Sequence, residues 1–418
     1  MLTVEQARDS VLERIVRLEP EPVAVLESLG CVLAADIVSD IDVAPFDNSA
    51  MDGYAVRSSD TAGASEDAPV VLRVVDHIAA GSMPRVEVGP GDASRIMTGA
   101  PVPQGADAIV MVEVTESLEA DGSTGGTVAI KRPATFGDHI RHAGEDAHAG
   151  ETVLHAGEVV NAASIGLMAT LGTTTPLVYR RPRVAIVSTG DELVGIEEVP
   201  GPGQIRNSNT YSLAAQVIAA GGVPYVLGIA RDNEADTRAL LGRASEFDLM
   251  VTTGGVSMGD FDVVKTVLQE IGKLDFWKVA MRPGAPQTYG TIGGTPFFGL
   301  PGNPTSTMVG FELFVRPAIR KMRGFTALDR PRVMAVLADD ARKKSDRRYF
   351  MRGILTRREV TEPGAPVYEA RLSGRQSSAL LTAMHRANCL ICLPEGLSSV
   401  PAGSVVECIR LDQEEGSA

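Results

Sequence analysis

Apolar positions change period along this chain, and the changes divide it into segments. Val4, Ala7, Val11, Ile15 and Leu18 recur at helical spacing behind Thr3, a residue able to cap a helix. Pro20 and Pro22 stop that helix, and a second short one over 23–29 ends at Gly30. From 69 to 130 the apolar runs are short and β-like (70–75, 95–97, 108–114, 128–130) and are separated by Gly and Pro, which predicts a small β-rich module with a hairpin tip at 121–126. Helical spacing returns over 161–171 and closes at Gly172.

Beyond Arg183 the two periods alternate. Strands are predicted at 184–188, 223–229, 247–253, 276–280, 288–290 and 297–299. Between them fall a helix capped by Ser208 or Asn209 and running to Ala220, a helix over 233–244, one starting at Asp262, and a long one over 306–322. Such alternation predicts a three-layer, doubly wound, mostly parallel sheet with helices on both faces. After Gly324 it stops, and strands at 331–337, 347–355, 367–372 and 390–392 predict a separate all-β module. The chain is read as a multidomain α/β protein.

The carboxyl ends of parallel strands lie on one edge of a sheet, so the loops that follow them converge. Here those loops are Thr189-Gly-Asp191-Glu192, Arg231-Asp232, Thr252-Thr253-Gly254-Gly255, Arg282-Pro-Gly and Pro301-Gly-Asn303-Pro304. Gly254 and Gly255 remove side chains where a ligand would approach backbone, and Ser257, Gly259 and Asp260 precede a helix start that favours an anion. Neither G-x-G-x-x-G nor a Walker A loop is present. Asp191, Glu192, Asp232, Asp260 and Asp262 beside Lys278 and Arg282 suit a Mg²⁺ ion held against a phosphate, hence transfer or cleavage at a phosphate ester or anhydride.

Two other loops carry polar groups without regular period. Residues 43–56 set Asp47, Asn48, Ser49 and Asp52 among Phe46, Met51 and Tyr54, so the carboxylates need hydrogen bonds, a cation or a ligand. Thr98 and Gly99 follow a strand, and Arg141 with Glu145 and Asp146 forms a polar turn. His139, His142, His148 and His155 match no metal-ligand spacing.

Composition narrows the classes. At 418 residues, 44% hydrophobic and 22% charged, the chain has ample core for several domains. A formal charge of −14 argues against nucleic acid as a partner, since duplex binding needs a broad basic face. No apolar run has the length of a membrane span and residues 1–13 are polar and helical, so a cytoplasmic protein without membrane attachment is expected. The 4 cysteines form no disulfide framework, and Cys389 and Cys392 fall on a strand with side chains on opposite faces. The densest positive run is Arg342, Lys343, Lys344, Arg347, Arg348 and Arg352, which in the simplest reading is a solvated sheet edge.

Six strings in order carry a resemblance: Pro45-Phe-Asp-Asn-Ser-Ala-Met-Asp-Gly-Tyr-Ala, Met97-Thr-Gly-Ala-Pro-Val-Pro, Gly144-Glu-Asp, Ser188-Thr-Gly-Asp-Glu-Leu, Thr253-Gly-Gly-Val-Ser-Met-Gly and Gly299-Leu-Pro-Gly-Asn-Pro. Together they resemble the MoeA family of molybdopterin molybdenumtransferases, which includes the E domain of gephyrin. The resemblance spans nearly the whole chain and is loosest in the last module. It implies an elongated homodimer of four domains: a discontinuous helical linker (1–43 and 145–180), an inserted β-rich domain (44–144), an α/β domain (181–325) and a C-terminal β-barrel (326–418). It implies Mg²⁺-dependent cleavage of adenylylated molybdopterin with molybdate, yielding molybdenum cofactor and AMP, in a cleft shared between subunits.

Carried over by motif, Asp52, Thr98, Asp146, Glu192, Asp232 and Asp262 are the functional polar residues, with Asp232 and Asp262 as metal ligands. Thr253, Gly254, Gly255 and Ser257 would bind substrate, and Pro301 and Pro304 would shape a loop against the pterin. Lys278 and Arg282 fall where the family places cations, and Arg347 with Ser378 would face molybdate. Ala285 departs from the pattern, standing where many members carry a second lysine. The molybdopterin adenylyltransferase is a candidate partner. It is also the nearest rival reading, since its fold resembles 183–323, and a gephyrin-like scaffold is the other alternative.

Overall fold

Thr3 caps the helix Val4–Arg14 in a capping box: its hydroxyl accepts the Gln6 N–H while the Gln6 side chain accepts the Thr3 N–H. A computed structural model of the chain describes residues 1–118, 125–255, 263–359, 364 and 366–413, with side chains described except at 263–265 and 274–277. The chain divides into two compact units. Met1–Ala35, Ala156–Ala162 and Thr175–Ala418 form one, and Asp36–His155 with Ala163–Thr174 form the other.

In the first unit a 6-stranded sheet runs in the order Val223–Ala230, Arg183–Thr189, Leu249–Thr253, Thr295–Leu300, Pro286–Ile292, Gly272–Lys278. The first four strands are parallel, and the last two are antiparallel. The expected parallel sheet therefore exists only on the side that carries the ligand loops. The reversal comes at Gly293-Gly294, whose positive φ values of 57° and 91° suit a two-residue hairpin that residues with a Cβ resist. Val4, Ala7, Val11 and Ile15 bury the first helix in the same core as Val184, Ile186, Leu249 and Val251 of the sheet.

The predicted long helix is three pieces: Pro304–Gly310, a wider π turn Phe311–Val315, and Arg316–Met322. Pro317 has no N–H to offer the preceding turn, and the π turn sits where that bond is missing. Its arginines are buried yet bonded to main-chain carbonyls, Arg320 to Ala327 at 2.9 Å and Arg323 to Ala220 at 3.0 Å.

The C-terminal strands Arg348–Arg357, Tyr368–Leu372, Arg332–Leu337, Val405–Arg410 and Cys389–Leu393 pair in that order, and the last pairs back on the first to close a barrel. Closure leaves no free edge, so aligned polar and apolar faces turn inward or outward as a set. Cys389 and Cys408 lie in the barrel's own core, while Cys392, on the opposite face of its strand, packs with the core of the α/β sheet, where burial pushes its thiol up to about 12 and keeps it protonated.

The second unit holds another 6-stranded sheet, ordered Ala108–Met111, Gly53–Val56, Asp92–Ile96, Val70–Ile78, Thr127–Ile130, Thr115–Ser117. The hairpin tip expected at 121–126 lies largely outside the described residues. Gly53 must be glycine, since a Cβ there would stand 2.1 Å from the carbonyl oxygen of Val110 on the neighbouring strand. Among the described residues no helix is long and apolar enough to cross a membrane.

Candidate functional site

Thr189, Ala230, Thr253 and Leu300 end the four parallel strands in adjacent register, so the loops that follow meet at one edge. The contact is close: the Gly254 N–H donates to Leu300 O at 3.1 Å, and a Cβ at Gly254, where φ is +90°, would stand 2.5 Å from Thr189 O. Gly302 approaches from the other side, its absent Cβ 3.6 Å from Gly254 Cα. Main chain rather than side chain therefore lines this cleft. Half-buried glycine backbone of this kind lets a phosphate come close to main chain.

The helix Ser208–Ala219 is capped by Asn207, not by Ser208 or Asn209 as the sequence pattern suggests. That frees Asn209, whose Nδ2 donates to Thr253 Oγ1 at 2.9 Å and to Gly302 O at 2.8 Å. Asn209 Oδ1 and Thr189 Oγ1 are buried beside these loops and have no hydrogen-bond partner among the described residues. Buried polar atoms normally find partners, so this edge is built to receive one.

Two acidic loops adjoin it. The Asp232 N–H donates to Asp191 Oδ1 at 3.1 Å, and the Asp191 N–H donates to Asp232 Oδ2 at 3.4 Å, a reciprocal clasp that leaves one oxygen of each carboxylate for another ligand. Arg231 braces it through the Asp191 and Leu193 carbonyls. The Glu192 carboxylate folds over Gly190, whose missing Cβ gives it room. Asp191 belongs to the acidic set that the loops predict; its partnership with Asp232 is visible only in three dimensions. Ser257 and Asp262 lie outside the described residues.

The second feature is a cleft of about 570 Å³ between the sheet and the barrel. Arg282, Pro301 and Ser306 line it from one side, and Arg342, Lys344, Arg347, Arg352 and Ser378 from the other. Arg352 is 2% exposed, and burial pulls its guanidinium down to about 10. Its Nη2 donates to Ser377 O at 3.2 Å, and its Nε has no hydrogen-bond partner among the described residues. The Thr305 N–H donates to Ser378 O at 3.0 Å, tying the barrel loop to the strand-end loop that carries Pro301.

The positive run thus is not a solvated edge throughout. Arg348 pairs with Glu5 and Glu395, Lys343 donates to Pro394 O, and the remaining members face the cleft. Arg342, Lys344 and Arg352 are site residues that the sequence pattern placed on that edge, and Ala285 lines the cleft without a charge. Lys278 ends the edge strand Gly272–Lys278 and is not among the lining residues, and Pro304 opens the helix Pro304–Gly310.

In the second unit Asp52 accepts the Thr98 N–H at 2.7 Å and the Thr98 hydroxyl at 2.8 Å. These bonds hold the Asp52 carboxyl below the usual carboxylate range, so it is charged at neutral pH. The Asp146 N–H donates to Val43 O at 2.9 Å, and Asp146 lines an open cleft of about 340 Å³ with Asn48, Arg141, His142 and Glu145. His142 contacts Asp47 at 3.3 Å, and no group of three or more metal-ligating side chains exists among the described residues.

A glycine-lined strand edge beside a cationic cleft defines an anion-binding α/β protein. Residues 2–172 match the family model "MoeA N-terminal region (domain I and II)", 185–321 match "Probable molybdopterin binding domain", and 334–411 match "MoeA C-terminal region (domain IV)". A protein of Bacillus subtilis (strain 168) named molybdopterin molybdenumtransferase is 39% identical over 401 residues, covering 96% of this chain and 91% of that one. Molybdopterin molybdenumtransferase 2 of Mycobacterium tuberculosis (strain ATCC 25618 / H37Rv) is 41% identical over 414 residues, covering 97% and 99%. The crystal structure of a molybdopterin biosynthesis MoeA protein from Pyrococcus horikosii superposes with a TM-score of 0.80 at 31% identity, covering 99% of this chain and 100% of that one. The chain belongs to the MoeA family.

Proposed function

We propose that this chain is a molybdopterin molybdenumtransferase that acts on adenylylated molybdopterin and molybdate and releases AMP and molybdenum cofactor. The observation that carries this reading is the loop 301–306. Its Pro301 and Gly302 carbonyls are bonded into the strand-end cleft by Thr253 and Asn209, while Pro301, Asn303 and Ser306 line the cationic cleft. A phosphorylated ligand on the glycine edge and an oxyanion among the arginines would be neighbours across one loop, as metal transfer to a pterin requires.

Mg²⁺ fits the donor set as a hard cation that keeps water and takes one or two carboxylates plus substrate phosphate. Asp232 would hold it with Asp262, and the clasp adds Asp191 as a further candidate; the ion would neutralise charge developing on the departing phosphate. The glycine-edge backbone and the Thr189 hydroxyl would orient the phosphate, with Asn209 holding Thr253 and Gly302 in place, and Arg282, Arg347 and Ser378 would hold molybdate. Asp52, Thr98 and Asp146 complete the site in a homodimer, supplied by the second chain. The adenylyltransferase would deliver the pterin in the cytoplasm.

Purified protein with Mg²⁺ and adenylylated molybdopterin is expected to release AMP only when molybdate is added. AMP release indifferent to molybdate would count against this reading; pyrophosphate release from ATP and unmodified molybdopterin would favour the adenylyltransferase instead.

A further inference from the structure

Every charged side chain that lines the cationic cleft is a hydrogen-bond donor and nothing else. Arg282, Arg342, Lys344, Arg347 and Arg352 offer N–H groups, and no carboxylate among the described residues lines the cleft. Some nearby acceptors are engaged: Gln376 Oε1 takes the Arg352 main-chain N–H at 2.9 Å, Ser377 O takes Arg352 Nη2 at 3.2 Å, and Ser378 O takes the Thr305 N–H at 3.0 Å, so the oxygens left to a ligand belong to neutral side chains such as Asn303, Ser306 and Ser378. Arg352 sits in this surface buried, and among the described residues it has no ion pair and its Nε has no hydrogen-bond partner.

Tetrahedral oxyanions of similar size differ in their protons. Molybdate, tungstate and sulfate are fully deprotonated near neutrality and need only donors around them. Hydrogen phosphate keeps one O–H, which among these cations and without a carboxylate would face a donor or compete for the few neutral side-chain oxygens of Asn303, Ser306 and Ser378. Leaving such a group unsatisfied is costly, and sites built around one hydrogen-bond polarity reject ligands of the other.

We infer that this cleft selects fully deprotonated tetrahedral dianions against hydrogen phosphate, with the buried Arg352 as the positioning residue that keeps the selection strict. The inference rests on the cleft being the oxyanion site proposed above. Its consequence is that a scarce metal oxyanion can be taken up in the presence of abundant phosphate, while sulfate remains a competitor.

Equilibrium dialysis of the full chain against labelled molybdate, challenged with sulfate or phosphate at constant ionic strength in mildly alkaline buffer, separates the possibilities. Sulfate is expected to displace molybdate at a concentration at least about tenfold below that at which phosphate does, a difference of about 1.4 kcal/mol. Arg352→Met should lower molybdate affinity and narrow the sulfate-to-phosphate ratio, with the ligand-free melting temperature held or raised because an uncompensated buried charge is gone. Arg352→Lys, which keeps a cation, should retain part of the ratio and serves if the methionine variant does not fold. Equal displacement by sulfate and phosphate in the unmodified protein would overturn the selection while leaving an oxyanion site in place. An unchanged ratio in a folded Arg352→Met would overturn the role of Arg352. No molybdate binding under any condition would overturn the site itself.

Discussion

Asp232→Ala is expected to abolish molybdate-dependent AMP release, a loss on the order of 10³-fold or more, while leaving the protein folded. The size follows from the chemistry, because a carboxylate that holds a divalent cation against a phosphate contributes several kcal/mol to charge stabilisation in the transition state. The tolerance follows from its surroundings. Asp232 is exposed, and among the described residues its carboxylate receives only the Asp191 N–H, at 3.4 Å. Its own N–H bond to Asp191 Oδ1 is made by main chain and survives the substitution. AMP release and thermal unfolding measured on the same preparation check both halves. Asp262→Ala is expected to behave alike. Retained turnover, or a large fall in melting temperature, would show that these are structural residues.

Glu312→Ala should be the costliest single change to stability, about 3–5 kcal/mol in denaturant unfolding, because it breaks a buried ion pair from one side. Glu312 lies in the π turn with 8% of its side chain exposed, accepts from Arg330 Nε at 3.0 Å and from Gln216 Nε2 at 3.1 Å, and has Arg316 Nε at 3.8 Å. Two guanidiniums at 2% and 10% exposure would lose the carboxylate beside them. Glu312→Gln keeps an acceptor and should cost less. A loss below about 1 kcal/mol in the alanine variant would mean that the bonds of Arg316 to Leu328 O and of Arg330 to Gln413 O already suffice.

Much of the α/β unit is legible in the sequence because its strands are short apolar runs closed by glycine, and because parallel strand ends share an edge. That logic alone places Thr253, Gly254, Pro301 and Asp232 on converging loops. It fails where local signals compete. Asn207, Ser208 and Asn209 all suit a helix cap, and only packing shows that Asn207 takes the position and releases Asn209 toward Thr253. The antiparallel side of the sheet has a readable sign in Gly293-Gly294, a two-residue turn between β-like runs, which the strand-helix alternation obscures. Arg342, Lys344 and Arg352 cannot be separated from Lys343 and Arg348 by charge alone. Barrel closure and the pairing of Arg348 with Glu5 and Glu395 decide which cations reach the cleft, and those contacts join residues far apart in sequence.

In the proposed reaction one loop separates two anion sites, a phosphate on the glycine edge and an oxyanion among the arginines. Crystals soaked with AMP and molybdate, with molybdenum located by anomalous scattering, test it directly. The metal is expected beside Arg282, Arg347 and Ser378, with the AMP phosphate against Gly254 and Gly255 across the 301–306 loop. Molybdenum bound away from those arginines, with AMP seated elsewhere, would contradict it.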